Sequence, residues 1–249
     1  MQIIKFKKKN NSYDVYLKDG SIINLNSELI LKNNLLLSKE IDDINKIKED
    51  NKIYEAYDKS LKYINKRMRS TLEMDTYLKD YPSKVKEDII NRLTKEGYIN
   101  DLNYIKYYIS DQINLTNKGY YKIKQELIKR GLKEEDIINA LDNIDKDIWL
   151  DKITKQVNKD LKIKSNLSIG MQKNKIINHL INLGYQKELL IPYVEHLDIN
   201  DSDNLIKAYN KVLNSLERKY QDDELKSKVI TKLMRMGYTY PQIKEVMDK

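Results

Sequence analysis

Lys122-Ile123-x-x-x-Leu127-x-x-x-Gly131-Leu132 recurs as Lys175-Ile176-x-x-x-Leu180-x-x-x-Gly184-Tyr185 and again as Lys228-Val229-x-x-x-Leu233-x-x-x-Gly237-Tyr238, with successive glycines 53 residues apart. A fixed period of this size marks stacked supersecondary units, each too small to bury its apolar face alone. Within every copy the apolar residues stand at helical spacing, and the glycine follows the last turn, where a left-handed residue closes a helix. A longer amphipathic stretch precedes each copy (Asp101 to Leu115, Asp147 to Ile163, Ser202 to Tyr220) and a shorter one follows it (Glu134 to Leu141, Lys187 to Leu197, Pro241 to Met247). The unit is therefore three helices.

A degenerate first unit fits upstream, with helices to about Met68 from Ile53, from Leu72 to Lys79 and from Pro82 to Lys95. Its middle helix ends in Tyr81-Pro82 without a glycine, and Gly97 lies out of step with the period. Boundaries are marked by Pro82 in a first turn, by Asn100 and Asn117 as candidate N-caps, by the acidic start Glu134-Glu135-Asp136, and by Gly97, Gly131, Gly184 and Gly237 as left-handed closing residues.

Before residue 53 the pattern changes to alternation. Ile3, Ile4 and Phe6 precede an Asn10-Asn11 turn, then Tyr13, Val15 and Leu17 run to Asp19-Gly20, and Ile22, Ile23 and Leu25 follow. This predicts a β-meander whose Asp-Gly suits a type I′ turn. Ser27 is placed to cap a short helix through Leu29, Ile30 and Leu31, and the polar run Lys39 to Lys52 predicts a connecting helix or linker. The expected fold is mostly α: a β-rich extension and linker over 1–52, then three-helix repeats over 53–98, 99–144, 145–198 and 199–249.

Composition agrees. Seven glycines and three prolines in 249 residues are too few for a many-stranded sandwich or barrel, while 40% hydrophobic residues supply a core. The absence of cysteine excludes disulfides, zinc-thiolate sites and a cysteine nucleophile. No stretch approaches eighteen apolar residues, and Met1-Gln2-Ile3-Ile4-Lys5 lacks the apolar core of a signal peptide, so a cytoplasmic location without membrane contact is expected. The net charge of +8 favours an anionic partner. Six arginines against forty lysines, with abundant Ile and Asn, fit the codon bias of an AT-rich genome, so charge alone decides little.

No catalytic constellation is legible, and neither enzyme activity nor a cofactor is expected. His179 and His196 lie on separate helices with no Ser or carboxylate pattern to orient them. Ser168-Ile169-Gly170 and Thr116-Asn117-Lys118-Gly119 lack the glycines of a phosphate loop and read as helix entries. The acidic pairs Asp42-Asp43 and Asp222-Asp223 suit helix starts without a metal. Candidate contacts are basic. In the helix Asn117 to Gly131, Tyr120, Ile123, Leu127 and Gly131 fall on one face, and Lys118, Lys122, Gln125 and Lys129 fall opposite; Lys124 and Arg130 add to its charge. Lys66-Arg67-Met68-Arg69 is a second basic group, where arginine is otherwise scarce. The many tyrosines mostly fit helix packing. A solvated face explains such stripes as well as a binding surface does. A helix-turn-helix DNA-binding protein and a helical-repeat scaffold remain alternatives, the former opposed by third helices that are not basic.

Arg92-Leu93-x-x-x-Gly97-Tyr98-Ile99-Asn100-Asp101, the helix through Tyr104 and Tyr107, and Lys118-Gly119-x-x-Lys122-Ile123-x-x-Glu126-Leu127-x-x-x-Gly131-Leu132 together resemble the central signature of the bacterial RecX regulatory proteins. Ala56-Tyr57-x-x-Ser60-Leu61 and Arg67-x-Arg69-Ser70 are similar to that family's opening helix and basic turn, and the N-terminal meander is similar to the extension of longer members from low-GC Gram-positive bacteria. The resemblance covers nearly all of 53–249, carried by order and spacing. It implies an elongated, curved array of three-helix repeats. It further implies binding to the RecA recombinase nucleoprotein filament by a monomer, modulation, mostly inhibition, of filament growth, ATP hydrolysis and strand exchange, and weak direct binding to single- or double-stranded DNA. The contact residues it implies are Arg67, Arg69, Lys118, Lys122, Lys129 and Arg130. Lysine stands at several positions, Lys122 among them, where the family commonly has arginine.

Overall fold

The computed structural model describes residues 1–163, 165–199 and 204–248. It opens with strands β1 (Ile3–Lys8), β2 (Ser12–Leu17) and β3 (Ile22–Asn26), an antiparallel meander in that order. Phe6 lies opposite Val15 and Val15 opposite Ile23, so one inward row packs under helices α1 (Ser27–Lys32) and α2 (Leu35–Ser38). Two local expectations change. Gly20 has φ +87°, but Asp19 keeps a negative φ, and its carboxylate accepts the Ser21 amide and hydroxyl. Gly20 N donates to Leu17 O at 3.0 Å and Leu17 N to Ser21 O at 2.9 Å, which makes a three-residue turn with a glycine bulge in place of type I′. Asn26, one residue before Ser27, caps α1 by accepting the Glu28 amide at 2.8 Å.

Helix α3 runs from Ile44 to Ile64, so the expected boundary at 52/53 falls inside one helix of 21 residues. Asp43 starts it by accepting the amides of Asn45 and Lys46. Its first half is fixed to the sheet: Ile47 joins the apolar core, while Asn51 accepts the Asn26 amide at 2.7 Å and donates to Asn24 O at 3.1 Å. Its second half packs Ala56 and Tyr57 against α4 (Thr71–Tyr77) and α5 (Ser83–Lys95) around Met74, Leu78, Ile89 and Leu93. Arg92 of α5 closes the join, lying 3.8 Å from the Tyr57 ring centroid and reaching Glu28 of α1 at 3.0 Å.

The remaining helices are α6 (Asp101–Leu115), α7 (Tyr120–Lys129), α8 (Glu134–Asp142), α9 (Lys146–Leu161), α10 (Ile169–Asn182), α11 (Lys187–Glu195), α12 (Asn204–Leu216), α13 (Asp222–Arg235) and α14 (Tyr240–Met247). They match the expected triplets; Ser202, the expected start of the last long helix, lies outside the described residues. Gly97, Gly131, Gly184 and Gly237 all have positive φ, as their closing role requires. The chain divides into two compact units, residues 1–106 with 129–133, and 107–128 with 134–249, which share the second repeat between them.

Consecutive repeats meet through one recurring joint, in which the entry of one middle helix receives the closing turn of the next repeat's middle helix. In the first unit the Ser70 hydroxyl at the start of α4 donates to Arg130 O at 2.7 Å, with Gly131 against Leu72. In the second unit Gly119 N donates to Leu183 O at 2.7 Å and Tyr121 N to Gly184 O at 2.8 Å. There the Tyr185 hydroxyl, pushed up to about 12 by burial, donates to Asn117 O at 3.2 Å. The third joint, also in the second unit, sets Ser168 N on Met236 O at 2.9 Å and the Tyr238 hydroxyl on Asn166 O at 3.1 Å. Unsatisfied amides of a helix start thereby meet unsatisfied carbonyls of a helix end, which also aligns their dipoles favourably.

Candidate partner-binding surface

The basic turn after α3 is held by its own neighbours. Ser70 and Glu73 form a reciprocal capping box at the start of α4, visible in the sequence as Ser-x-x-Glu. The Glu73 carboxylate then receives Arg67 through two nitrogens, at 2.7 and 3.2 Å. Arg130, 57 residues later, lies 3.5 Å from the same carboxylate and donates to the Tyr104 hydroxyl at 2.7 Å. Burial alone would raise the Glu73 pKa; Arg67, the Ser70 amide and Arg130 outweigh it and hold the carboxyl below its ordinary value. The Arg67 guanidinium is raised in turn, chiefly by its bond to Glu73. Arg69 is buried, its guanidinium 3.6 Å from the Tyr63 ring centroid and its Nε on Tyr63 O at 3.4 Å. All three arginines of this region therefore have intramolecular partners, and Arg67, half exposed, is the most open of them.

Around α7 the lysines separate into two kinds. The helix starts at Tyr120, later than Asn117, because the Thr116 hydroxyl takes the Lys118 amide and Gly119 is engaged in the joint. Lys118 is consequently half-buried in front of the helix and pairs with Glu126 at 2.7 Å, away from the exposed face expected for it. Lys124 pairs with Glu134 at 2.7 Å. Lys122, Gln125 and Lys129 are exposed, opposite the buried Tyr120, Ile123 and Leu127, as the helical spacing requires. The Tyr120 hydroxyl donates to Asp142 at 2.8 Å, and burial together with that carboxylate pushes its pKa up to about 12. Lys152 has a structural task. Its Nζ donates to Ile113 O and Thr116 O, both at 2.6 Å, closing the end of α6.

The histidines have partners too. His196 Nδ1 lies 2.7 Å from Pro192 O within its own helix. His179 Nδ1 lies 2.7 Å from Asp160 Oδ2, a carboxylate on the preceding helix that sequence spacing did not bring to it. The cleft beside His179 is also lined by Ser165, Gln172 and Lys175; the Ser165 hydroxyl accepts the Leu167 amide and Gln172 donates to Leu167 O, contacts that shape a helix entry. Among the described residues no group of three or more metal-ligating side chains comes together, and no helix is long and apolar enough to cross a membrane.

No family model matches the chain. Curated relatives do. A regulatory protein RecX from Streptococcus agalactiae serotype III is 29% identical over 99% of this chain and 98% of its own length, and one from Listeria innocua is 28% identical over 98% and 93%. Along nearly its whole length the chain is similar to RecX regulatory proteins. Among solved structures, a regulatory protein RecX shares the fold at TM-score 0.66 and 24% identity, covering 77% of this chain and 98% of that one. A RecX crystal structure from Lactobacillus salivarius matches at TM-score 0.56 and 26% identity, over 59% of this chain and 96% of that one. The chain shares the helical fold of these structures, and its likeness to the curated relatives extends over essentially its whole length, the N-terminal sheet included.

Proposed function

We propose that this chain binds RecA recombinase filaments on DNA and modulates them, mostly by inhibiting filament growth, ATP hydrolysis and strand exchange in recombination and repair. The observation that carries the reading is likeness to RecX regulatory proteins along essentially the whole chain. Linked repeats support it physically, because several weak contacts to successive protomers of a filament add up through multivalency. The exposed Lys122 and Lys129 are the foremost contact residues on this reading, and Arg67 follows. Arg69, Arg130, Lys118 and Lys124 serve mainly to hold the surface in shape. The chain works as a cytoplasmic monomer, without a cofactor and without chemistry of its own, and acts on ATP turnover through its partner.

The test is single-stranded-DNA-dependent ATP hydrolysis by RecA from the same cell. At sub-stoichiometric ratios the chain should slow hydrolysis, since one bound molecule touches several protomers. Unchanged hydrolysis and strand exchange over a wide concentration range would remove the proposal.

A further inference from the structure

The first repeat carries an aromatic stack that runs outward from the edge of its core, against which Tyr63 packs. The rings of Tyr63, at the end of α3, and Tyr77, at the end of α4, are parallel within 4° with centroids 4.0 Å apart. The Arg69 guanidinium sits 3.6 Å from the Tyr63 centroid. Two planar groups at such distances cannot share one face of a ring, so Tyr63 is filled on both sides: guanidinium, ring, ring. The stack ends on Tyr77, whose residue is 40% exposed. Tyr77 is thus the exposed end of a pre-assembled column.

The surroundings are cationic. Lys59 and Lys62 are exposed on α3 beside Tyr63, and Lys66 is exposed just after the helix. Lys59 Nζ reaches the Tyr81 hydroxyl at 3.5 Å, which brings the α3 lysines alongside the chain segment that carries Tyr77. Lys79 adds a further exposed cation; of the nearby carboxylates Asp80 is exposed and Asp75 is paired with Lys86 at 2.6 Å. A flat aromatic terminus flanked by phosphate-binding charges is the arrangement that holds single-stranded nucleic acid, where every base offers a π-face and the backbone offers the charge. Duplex bases have no free face to offer.

We infer that Tyr77 is a stacking platform for one unpaired base of a single-stranded nucleic acid, with Lys59, Lys62 and Lys66 taking the adjoining phosphates. The site lies within one repeat and does not depend on the recombinase reading. Arg69 and Tyr63 act as positioning residues that fix the orientation of Tyr77.

Fluorescence anisotropy of the full chain with a labelled oligothymidine, and with an abasic oligonucleotide of equal length, tests the inference. The oligothymidine should bind roughly tenfold or more tightly than the abasic strand. Tyr77→Ala should erase that difference, while Tyr77→Phe keeps it. Replacing Lys59, Lys62 and Lys66 by Gln should weaken both strands together and make the log–log salt dependence shallower by about two, near 0.7 for each phosphate lost. Equal binding of the two strands by the unmutated chain overturns the inference, whatever the variants do. So does a folded Tyr77→Ala protein that still prefers the strand with bases. Filament inhibition without a base preference would leave the regulatory function standing and remove only the platform.

Discussion

At Gly119 and Gly184 two backbones approach so closely that no side chain fits between them. A Cβ at Gly119 would lie 2.5 Å from the Gly184 carbonyl carbon and 2.5 Å from the Tyr185 nitrogen, main-chain atoms that cannot turn aside. Gly119→Ala is expected to cost about 1–3 kcal/mol of stability, the range for overpacking. Gly97→Ala meets open space and only the strain of φ +82°, about 1–2 kcal/mol. Urea denaturation of both variants checks the mechanism: Gly119→Ala should also loosen the joint, read as faster amide exchange at Gly119 and Tyr121, and unaltered exchange there would contradict it. Glu73 gives a pH signature. Its folded pKa is lowered, so it contributes stability above its unfolded value near 4.5 and loses it as pH falls through the folded value. Glu73→Gln should therefore lower the melting temperature at neutral pH and flatten its fall below pH 4.5; an equally steep fall in the variant would assign the acid sensitivity elsewhere.

Among the elements, α6 and the closing turns of α7, α10 and α13 were readable because their signals are local: helical spacing, an acid or Asn at the start, and a glycine with positive φ at the end. The start of α3 was not. Within the polar run 39–52, Ile44 and Ile47 are the apolar residues of the helix face that packs on the sheet, and Asn51 on that face acquires its meaning from Asn24 and Asn26, more than twenty residues away. The same holds for the candidate contacts. Ser70-x-x-Glu73 is legible as a cap, but nothing local tells that Arg130 shares its carboxylate, or that Tyr63 and Tyr77 stack. Arg92 shows what such long-range contacts do for an element. It joins α1 to α5 through Glu28 while lying over Tyr57, and its pKa is raised, burial being outweighed by Glu96 and Glu28. Arg92→Lys keeps the charge but loses the planar stacking. It should cost about 0.5–1 kcal/mol in thermal or urea unfolding, because the site is partly exposed. A lysine variant as stable as the parent would show that charge alone holds the extension.

For the whole molecule, a net charge of +8 conceals how much positive charge is already matched internally. With Lys118 on Glu126 and Lys124 on Glu134, the surface reading narrows to Lys122 and Lys129. Replacing this pair by Gln should change stability by less than about 0.5 kcal/mol, the usual range for exposed substitutions, and still weaken filament binding. If duplex phosphates are the partner, the salt slope should become shallower by about two. Weaker binding at an unchanged slope would point to carboxylates on the partner protein, and unchanged binding at low salt would return the pair to plain solvation. The joint between repeats carries a last consequence, for the order in which they are strung. Middle helices α7 and α10 have no acid in their first turn, and each meets the closing carbonyls of the next repeat's middle helix; α13 instead opens with Asp222, Asp223 and Glu224, whose charge suits its positive end. The copies share one spacing yet are not interchangeable. Exchanging the α10 and α13 entries would set three carboxylates against the Met236 carbonyl, so these two copies resist exchange.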